Sequence, residues 1–219
     1  SEDAFAAMMN QQAKALGMTN SHFSDAEGLP MPDHRTTPRD LATLARALIK
    51  DHPEHYKLYS ERSFRFNDID QPNRNRLLWR DRTVDGVKTG HTDEAGFCLV
   101  ASALRDGMRL ISVVMGTSSD EARMTESQKL LAYGFRNFET PKLYDPGVML
   151  RTAEVWYGAT NEVQLGVKDT VYVTIPRGRY ADLKAETDIA RVIDAPVAIG
   201  NPYGELRVLL DDAVVYKTP

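Results

Sequence analysis

Two apolar runs joined by a short polar turn constrain the fold of this chain more than any other feature. The first covers residues 95–104, the second covers residues 110–115, and Arg105-Asp106-Gly107-Met108 stands between them. An Asp-Gly pair readily adopts the positive φ angles of a tight hairpin turn. The sequence therefore predicts a β-hairpin of long, mostly buried strands in the middle of the chain.

Two helix patterns precede this hairpin. Over residues 2–16, apolar side chains recur every three or four residues, and Gly17 ends the pattern. Thr37 is placed to cap a second helix, because Pro38 fits the first turn and Asp40 stands three residues after the cap. Both helices are predicted to pack on the sheet that contains the hairpin.

The remaining signals of this half complete an α+β pattern. Phe64-Arg65-Phe66 alternates like a short strand, and Ser118 or Ser119 begins an acidic helix that runs through Phe135. The order of these elements predicts an α+β domain over residues 1–140, with an antiparallel sheet and helices packed on it.

Beyond Thr140-Pro141 the hydrophobic period changes. Short segments of alternating apolar residues recur at 153–157, 163–165, 170–175, 206–210 and 214–216. This spacing predicts a small all-β domain over residues 141–219. Trp156 and Tyr157 are expected to lie in its core, the alternative being an exposed surface that stacks on sugars.

Composition excludes several classes of function but does not identify one. The 219 residues carry a net charge of −4, so no basic footprint for nucleic acid is present. No run approaches the ~18 apolar residues of a membrane span. The single Cys98 excludes an internal disulfide. His52 and His55 have no neighbouring Cys or further His, so we predict no metal site and no cofactor.

The motif most able to carry chemistry is Lys88-Thr89-Gly90, just before the first apolar run. An ammonium, a hydroxyl and a glycine at the head of a hairpin form an edge where a substrate backbone can lie. An exposed turn without function is the alternative. A phosphate loop is excluded, because its pattern needs glycine where Arg82 and Val87 stand.

The surroundings of this motif resemble one family, the low-molecular-mass D-alanyl-D-alanine carboxypeptidases of the penicillin-binding protein 5 type. These serine peptidases are related to β-lactamases and share the motif set Ser-x-x-Lys, Ser-x-Asn, Lys-Thr-Gly. The resemblance extends over essentially the whole chain. It is carried by residues 22–29, 37–42, 73–79, 84–96, 134–139 and 173–178. It implies a β-lactamase/transpeptidase-like sheet for the first domain.

One departure from the family pattern is large. No serine of this chain has a lysine three residues later or an asparagine two residues later. In the family both motifs precede a helix like the one at residues 2–16. We therefore expect the sequence to begin partway through the catalytic domain, leaving the sheet incomplete. We also expect it to lack the amphipathic helix that attaches family members to a membrane surface.

The resemblance implies removal of the terminal D-alanine from peptidoglycan stem peptides through an acyl-enzyme, and acylation by β-lactams. The implied partners are a peptide ending in D-Ala-D-Ala and β-lactam antibiotics. The implied location of the full-length protein is the periplasm, peripheral to the inner membrane. The chain alone is expected to be inactive. Two alternatives stay open: a β-lactamase relative, and a non-catalytic module that binds cell wall or a partner.

The family roles fall on six residues. Lys88 would place a positive charge near the nucleophile, Thr89 would donate to the substrate carboxylate, and Gly90 would let the strand pair with the substrate. His91 would contribute its backbone N–H to the oxyanion hole.

Two arginines complete the implied substrate-binding set. Arg74 would help to position the carboxylate end of the substrate, the alternative being a surface salt bridge. Arg136 is placed like a family arginine near the same pocket, the alternative being a solvated position on a helix.

Overall fold

A computed structural model describes residues 1–219, and the chain divides into two compact units, Ser1–Phe135 and Arg136–Pro219. The first is α+β and the second is rich in β-structure, which is the predicted fold class. The predicted domains, a catalytic part over 1–140 and a small β-rich domain over 141–219, remain a prediction. No helix has both the length and the apolar character needed to cross a bilayer.

Both predicted N-terminal helices are present. Helix α1 covers Glu2–Ala15 and helix α2 covers Pro38–Asp51. The Thr37 hydroxyl accepts from the Asp40 N–H at 3.2 Å, as expected of an N-cap. Two single-turn helices were not predicted, α3 at Pro53–Tyr56 and α4 at Leu77–Arg80, because four residues are too few to show a helical period.

The central sheet contains the predicted hairpin. Strands β3 (Val84–Thr92), β4 (Gly96–Arg105) and β5 (Met108–Thr117) are antiparallel and lie in the order β3-β4-β5. The hairpin turn lies at Asp106 and Gly107, whose φ angles are 48° and 80°. The observed turn and strand pairing confirm the predicted hairpin. The prediction succeeded because an Asp-Gly pair favours this turn.

Strand β4 is covered on both faces because its alternate residues enter two different clusters. Leu99 and Ala101 pack with Met124 and Leu131 of helix α5, which covers Asp120–Asn137. Val100 packs on the opposite side, against a cluster of Ala45, Tyr56 and Val87. The Ser119 hydroxyl caps α5 by accepting from the Ala122 N–H at 3.0 Å, so the predicted start of this helix is confirmed.

A small hairpin lies between α3 and α4. Strand β1 (Ser63–Phe66), which includes the predicted strand, pairs with β2 (Ile69–Pro72). The turn residues Asn67 and Asp68 have positive φ angles. Strand β2 was not predicted, because Ile69-Asp70-Gln71-Pro72 shows no run of apolar residues.

The second unit consists of short strands around a separate core. Strands β6 (Phe138–Glu139) and β7 (Lys142–Tyr144) pair with β11 (Ile175–Pro176) and β10 (Val171–Tyr172), respectively. One three-stranded sheet has the order β13-β8-β9, and the other has the order β12-β14-β15. These strands are β8 (Met149–Trp156), β9 (Glu162–Gly166), β12 (Lys184–Ile189), β13 (Val192–Asp194), β14 (Gly204–Leu210) and β15 (Ala213–Thr218).

The prediction that Trp156 and Tyr157 lie in the core of this unit is wrong. Their side chains are 50% and 87% exposed, respectively. Ala153 and Val155 are the inward residues at this end of β8, so the alternation of the strand turns Trp156 outward. Tyr157 lies beyond the strand end, with a φ angle of 61°. The core is formed by residues such as Val171, Ile175 and Val208.

Candidate active site

The predicted motif lies on an edge strand. Lys88, Thr89, Gly90 and His91 are consecutive residues of β3, which pairs with β4 on one side only. Thr89 faces Leu99 in this register. An unpaired strand edge presents N–H and C=O groups to an extended peptide. The structure therefore places the four predicted residues along one edge that can accept a substrate backbone.

Lys88 is a cation without an acidic partner. Its Nζ donates to the Thr89 carbonyl at 2.7 Å, and it forms no ion pair. Partial burial of the ammonium lowers the Lys88 pKa, and the nearby positive charges of Arg74 and Arg123 lower it further. Such a site favours an incoming anion, because a carboxylate would relieve the repulsion among these three cations.

The two residues after Lys88 leave groups available to a ligand. Thr89 is buried, yet its hydroxyl makes no hydrogen bond within the chain. A Cβ added to Gly90 would meet only the Cys98 Cβ, at 3.8 Å, which is an ordinary contact. Glycine is therefore not required here by the packing of the chain, which leaves close approach of a ligand as a reason for it.

His91 presents its side chain to solvent. Its ring lies over the ring of Phe97, with centroids 3.9 Å apart. The imidazole has no hydrogen-bond partner, which agrees with a role for the backbone N–H alone. That role stays a prediction.

Arg74 lies in the loop between β2 and α4, held by two asparagines. The Asn73 side chain donates to the Glu61 carbonyl at 2.9 Å, and the buried Asn75 side chain donates to the Gly86 carbonyl at 2.9 Å. The second bond ties the loop to β3. Arg74 itself has no hydrogen bond or ion pair through its guanidinium, so the alternative of a surface salt bridge has no carboxylate to support it.

A third cation, Arg123, was not singled out from the sequence. It is 5% exposed, and it donates to the carbonyls of Gly90 and Cys98 at 3.0 and 3.3 Å. Its guanidinium also pairs with Asp120. Arg123 thus clamps β3 to β4 at the motif. The sequence carries no signal for this contact, because an arginine in the first turn of a helix is ordinarily solvated.

Arg136 lies in the last turn of α5. It follows Arg123 along α5 by between three and four turns, which is roughly 20 Å of helix at 1.5 Å per residue. Its side chain is exposed, and its backbone carbonyl accepts from Arg177 Nε at 3.3 Å. A role for Arg136 at the pocket stays a prediction.

A polar network supports the start of β3. Asp85 accepts from the Tyr56 hydroxyl at 2.7 Å and from Arg109 at 2.8 Å, and Arg109 also donates to the buried Ser102 hydroxyl at 2.7 Å. Burial is the main cause that raises the Tyr56 pKa, so this phenol remains a donor to Asp85. Sequence periodicity could not reveal the network, since its members are distant along the chain.

The sequence matches two family models that together cover most of the chain. The family model described as D-alanyl-D-alanine carboxypeptidase matches residues 1–119, and the model of the penicillin-binding protein 5 C-terminal domain matches residues 138–219. The chain is 45% identical to D-alanyl-D-alanine carboxypeptidase DacC of Escherichia coli K12, covering 100% of this chain and 55% of that protein. DacA of the same organism is 44% identical with the same coverage. The chain thus spans about half the length of these relatives.

The chain also superposes on solved structures of penicillin-binding proteins. Penicillin-binding protein 5 from Haemophilus influenzae superposes with a TM-score of 0.88 at 42% identity, covering 99% of this chain and 64% of that chain. Penicillin-binding protein D2 from Listeria monocytogenes, in its cefotaxime-bound form, superposes with a TM-score of 0.57 at 37% identity. That match covers 60% of this chain and 55% of the other.

Proposed function

The chain belongs to the D-alanyl-D-alanine carboxypeptidase family, and we propose that it forms the Lys-Thr-Gly wall of a serine peptidase. The whole protein would remove the terminal D-alanine of peptidoglycan stem peptides. The observation that carries this proposal is the open edge of β3, where Lys88 and Arg74 have no acidic partner beside the unbonded hydroxyl of Thr89.

The C-terminal carboxylate of the peptide would bind to these groups. Arg74 offers a forked pair of donors, Lys88 a compact positive charge, and Thr89 a hydroxyl donor. The peptide backbone would pair with the edge of β3, and Gly90 would permit its close approach. Because Arg123 and Asn75 hold this edge and its loop in place, little rearrangement would be needed on binding.

The nucleophile would come from elsewhere in the whole protein, since Ser-x-x-Lys and Ser-x-Asn do not occur in this sequence. A serine hydroxyl would attack the carbonyl of the penultimate D-alanine, transferring its proton to the leaving amine. An ester to the enzyme would form as the terminal D-alanine departs, and water would then hydrolyse it. The His91 N–H would donate to the oxyanion of each tetrahedral intermediate.

The same edge would bind β-lactams, which carry a carboxylate next to a reactive carbonyl. Solved relatives named as cefotaxime- and ampicillin-bound forms of a penicillin-binding protein support this assignment. The substrate lies in the cell wall, so the whole protein would act in the periplasm, at the outer face of the inner membrane.

Labelling with a fluorescent penicillin tests the proposal. The whole protein should be acylated, whereas the 219-residue chain alone should not, because it contains neither serine motif. In the whole protein, Lys88→Ala should slow acylation by about 10²-fold, the usual effect of losing one preorganised charge. Lys129→Ala is the control, since Lys129 pairs with Glu126 on the surface of α5.

Two results would contradict the proposal. The first is stable stoichiometric labelling of a serine within the 219-residue chain. The second is an unchanged acylation rate in a folded Lys88→Ala protein. Failure of the whole protein to react with any penicillin would instead favour the non-catalytic module.

A further inference from the structure

Two neighbouring aromatic side chains of the second unit project into solvent. Trp156 and Tyr157 are 50% and 87% exposed, with ring centroids 6.4 Å apart and ring planes at 88°. We call this pair the aromatic corner. Large aromatic rings contribute little to folding when they stay in water, so their exposure next to each other requires another explanation.

The backbone holds the aromatic corner in place. The Trp156 indole N–H donates to Glu154 Oε1 at 2.9 Å. The backbone carbonyl of Trp156 accepts from the Ala195 N–H at 2.9 Å. The Val155 N–H donates to the Asn161 carbonyl at 2.8 Å, which closes the loop below Tyr157. A fixed loop of this kind can present both rings to a ligand with little loss of conformational entropy.

Tyr157 also has an unfavourable backbone conformation. Its φ angle is 61°, in the left-handed region that bulky residues rarely adopt. The next residue must be small, because a Cβ on Gly158 would lie 2.9 Å from Val155 Cγ1. The tight turn imposes this conformation on Tyr157, and burial of its ring does not offset the cost. Strain at an exposed aromatic residue is typical of a binding site.

Tyr157 of the aromatic corner lies at the rim of a cavity of the second unit, about 1180 Å³ in volume. Tyr157 lines it together with Gln164 and Asn201, whose side-chain amides make no hydrogen bond within the chain. Its lining has few charges, namely Lys168, Asp169 and Glu205. An aromatic face beside neutral donors and acceptors suits a ligand that is uncharged and rich in hydroxyl and amide groups.

We propose that the aromatic corner and this cavity bind the glycan strand of peptidoglycan, a chain of N-acetylated aminosugars. The proposal rests on the proposed function, because that substrate carries its stem peptides on such a strand. Pyranose rings offer C–H faces that stack on Tyr and Trp, and their hydroxyl and acetamido groups match the amides of Gln164 and Asn201. An anionic membrane surface fits poorly, because Glu154 and Glu162 face each other across β8 and β9 and place two negative charges next to the corner.

Tryptophan fluorescence of the 219-residue chain tests this site directly. The chain has two tryptophans, so Trp79→Phe leaves Trp156 as the reporter. The probe is chitotetraose, a peptide-free tetramer of N-acetylglucosamine. Its addition should change the Trp156 emission saturably. Tyr157→Ala should weaken binding by about tenfold, the size of one lost ring contact. Tyr180→Ala, which removes another exposed ring of the same unit, should leave binding unchanged.

Three results would overturn the proposal: no saturable change at millimolar chitotetraose, an equal loss in the Tyr157→Ala and Tyr180→Ala chains, or a response to a free stem peptide but not to the oligosaccharide. The proposed function is tested separately. Whole protein carrying Tyr157→Ala should react with penicillin at the wild-type rate. Loss of penicillin labelling in the wild-type protein would count against the peptidase alone, and loss of oligosaccharide binding against the glycan site alone.

Discussion

At the scale of single residues, the site contains two cations, Lys88 and Arg74, that lack counter-ions. Lys88 lies close enough to Arg74 and Arg123 for both to lower its pKa. Of the three, only Arg123 pairs with a carboxylate, that of Asp120. Uncompensated like charges oppose folding, and their presence at an open strand edge supports the proposal that this edge binds an anion.

The Lys88 pKa gives a pH-dependent prediction. A pKa below the ordinary value means that folded Lys88 releases its proton at a lower pH than the unfolded chain does. Charged Lys88 therefore lowers folding stability near neutral pH, and stability rises with pH between the folded pKa and the unfolded value of about 10.4. NMR titration of ¹³C-methylated lysines should show Lys88 deprotonating before exposed lysines.

Lys142, whose pKa is shifted in the opposite direction, serves as an internal comparison in the same spectrum. The Asp145 carboxylate raises the Lys142 pKa, so its signal should move last. Lys88→Ala identifies the signal that moves first. If Lys88 titrated together with the solvated lysines, its ammonium would not be desolvated and the cationic description of the edge would be wrong.

Arg74 should distinguish carboxylate recognition from loop structure. In the whole protein, Arg74→Ala should cost about 1.5–3 kcal/mol in kcat/KM for a peptide with a free C-terminal carboxylate, the range for a charge-assisted hydrogen bond. The amidated peptide should lose much less. Arg65→Ala, in the adjacent hairpin and paired with Asp68, serves as the control. Equal losses on both peptides would mean that Arg74 shapes the loop only.

At the scale of elements, strand β3 is held along its length by side chains from distant segments. Tyr56 and Arg109 bind Asp85, the Asn75 amide binds the Gly86 carbonyl, and Arg123 binds the Gly90 carbonyl. An edge strand has only one partner strand, so these contacts replace the rigidity that a second partner would provide.

Alanine substitutions at Gly86 and Gly90 form a matched pair that tests how tightly Tyr56 packs against β3. A Cβ at Gly86 would lie 2.5 Å from the Tyr56 hydroxyl oxygen, whereas one at Gly90 would meet nothing nearer than 3.8 Å. Gly86→Ala should therefore destabilise the first unit by about 1–3 kcal/mol through overpacking. Gly90→Ala should leave stability nearly unchanged. Thermal melting followed by Trp79 fluorescence, in a Trp156→Phe background, reports on this unit. Equal melting temperatures would refute the packing argument.

At the scale of the whole molecule, the two compact units have separate cores. The first core is built on β4 and α5, and the second contains Val171, Leu206 and Val208. Each buries its own apolar residues, and the two family models divide the chain in a similar way. This organisation favours two domains that fold separately.

We predict that residues 136–219, the second compact unit, fold independently. This segment, expressed alone, should melt cooperatively, because its core is self-contained. Leu206→Ala, at a position 4% exposed, should cost about 2–5 kcal/mol, while Val214→Ala, at a position 50% exposed, should cost little. A segment that stays unfolded in isolation would show that the second unit depends on the first.

Much of the fold could be read from local chemistry. The caps at Thr37 and Ser119 and the Asp106-Gly107 turn depend on a few adjacent residues, and the sequence displays them directly. Short elements such as α4 and β2 were missed because they are too brief for a periodic signal. Trp156 was misplaced because hydrophobic character does not tell which face of a strand is covered.

The sequence by itself determined the family resemblance, the fold class and the position of Lys88-Thr89-Gly90, since each can be recognised from short local patterns taken in their order along the chain. The tertiary structure decided which charges meet there. Arg74 and Arg123 come from separate elements and approach Lys88 only when the chain folds, whereas Arg136 stays further along α5. Contacts between distant segments depend on packing, and no local pattern encodes them.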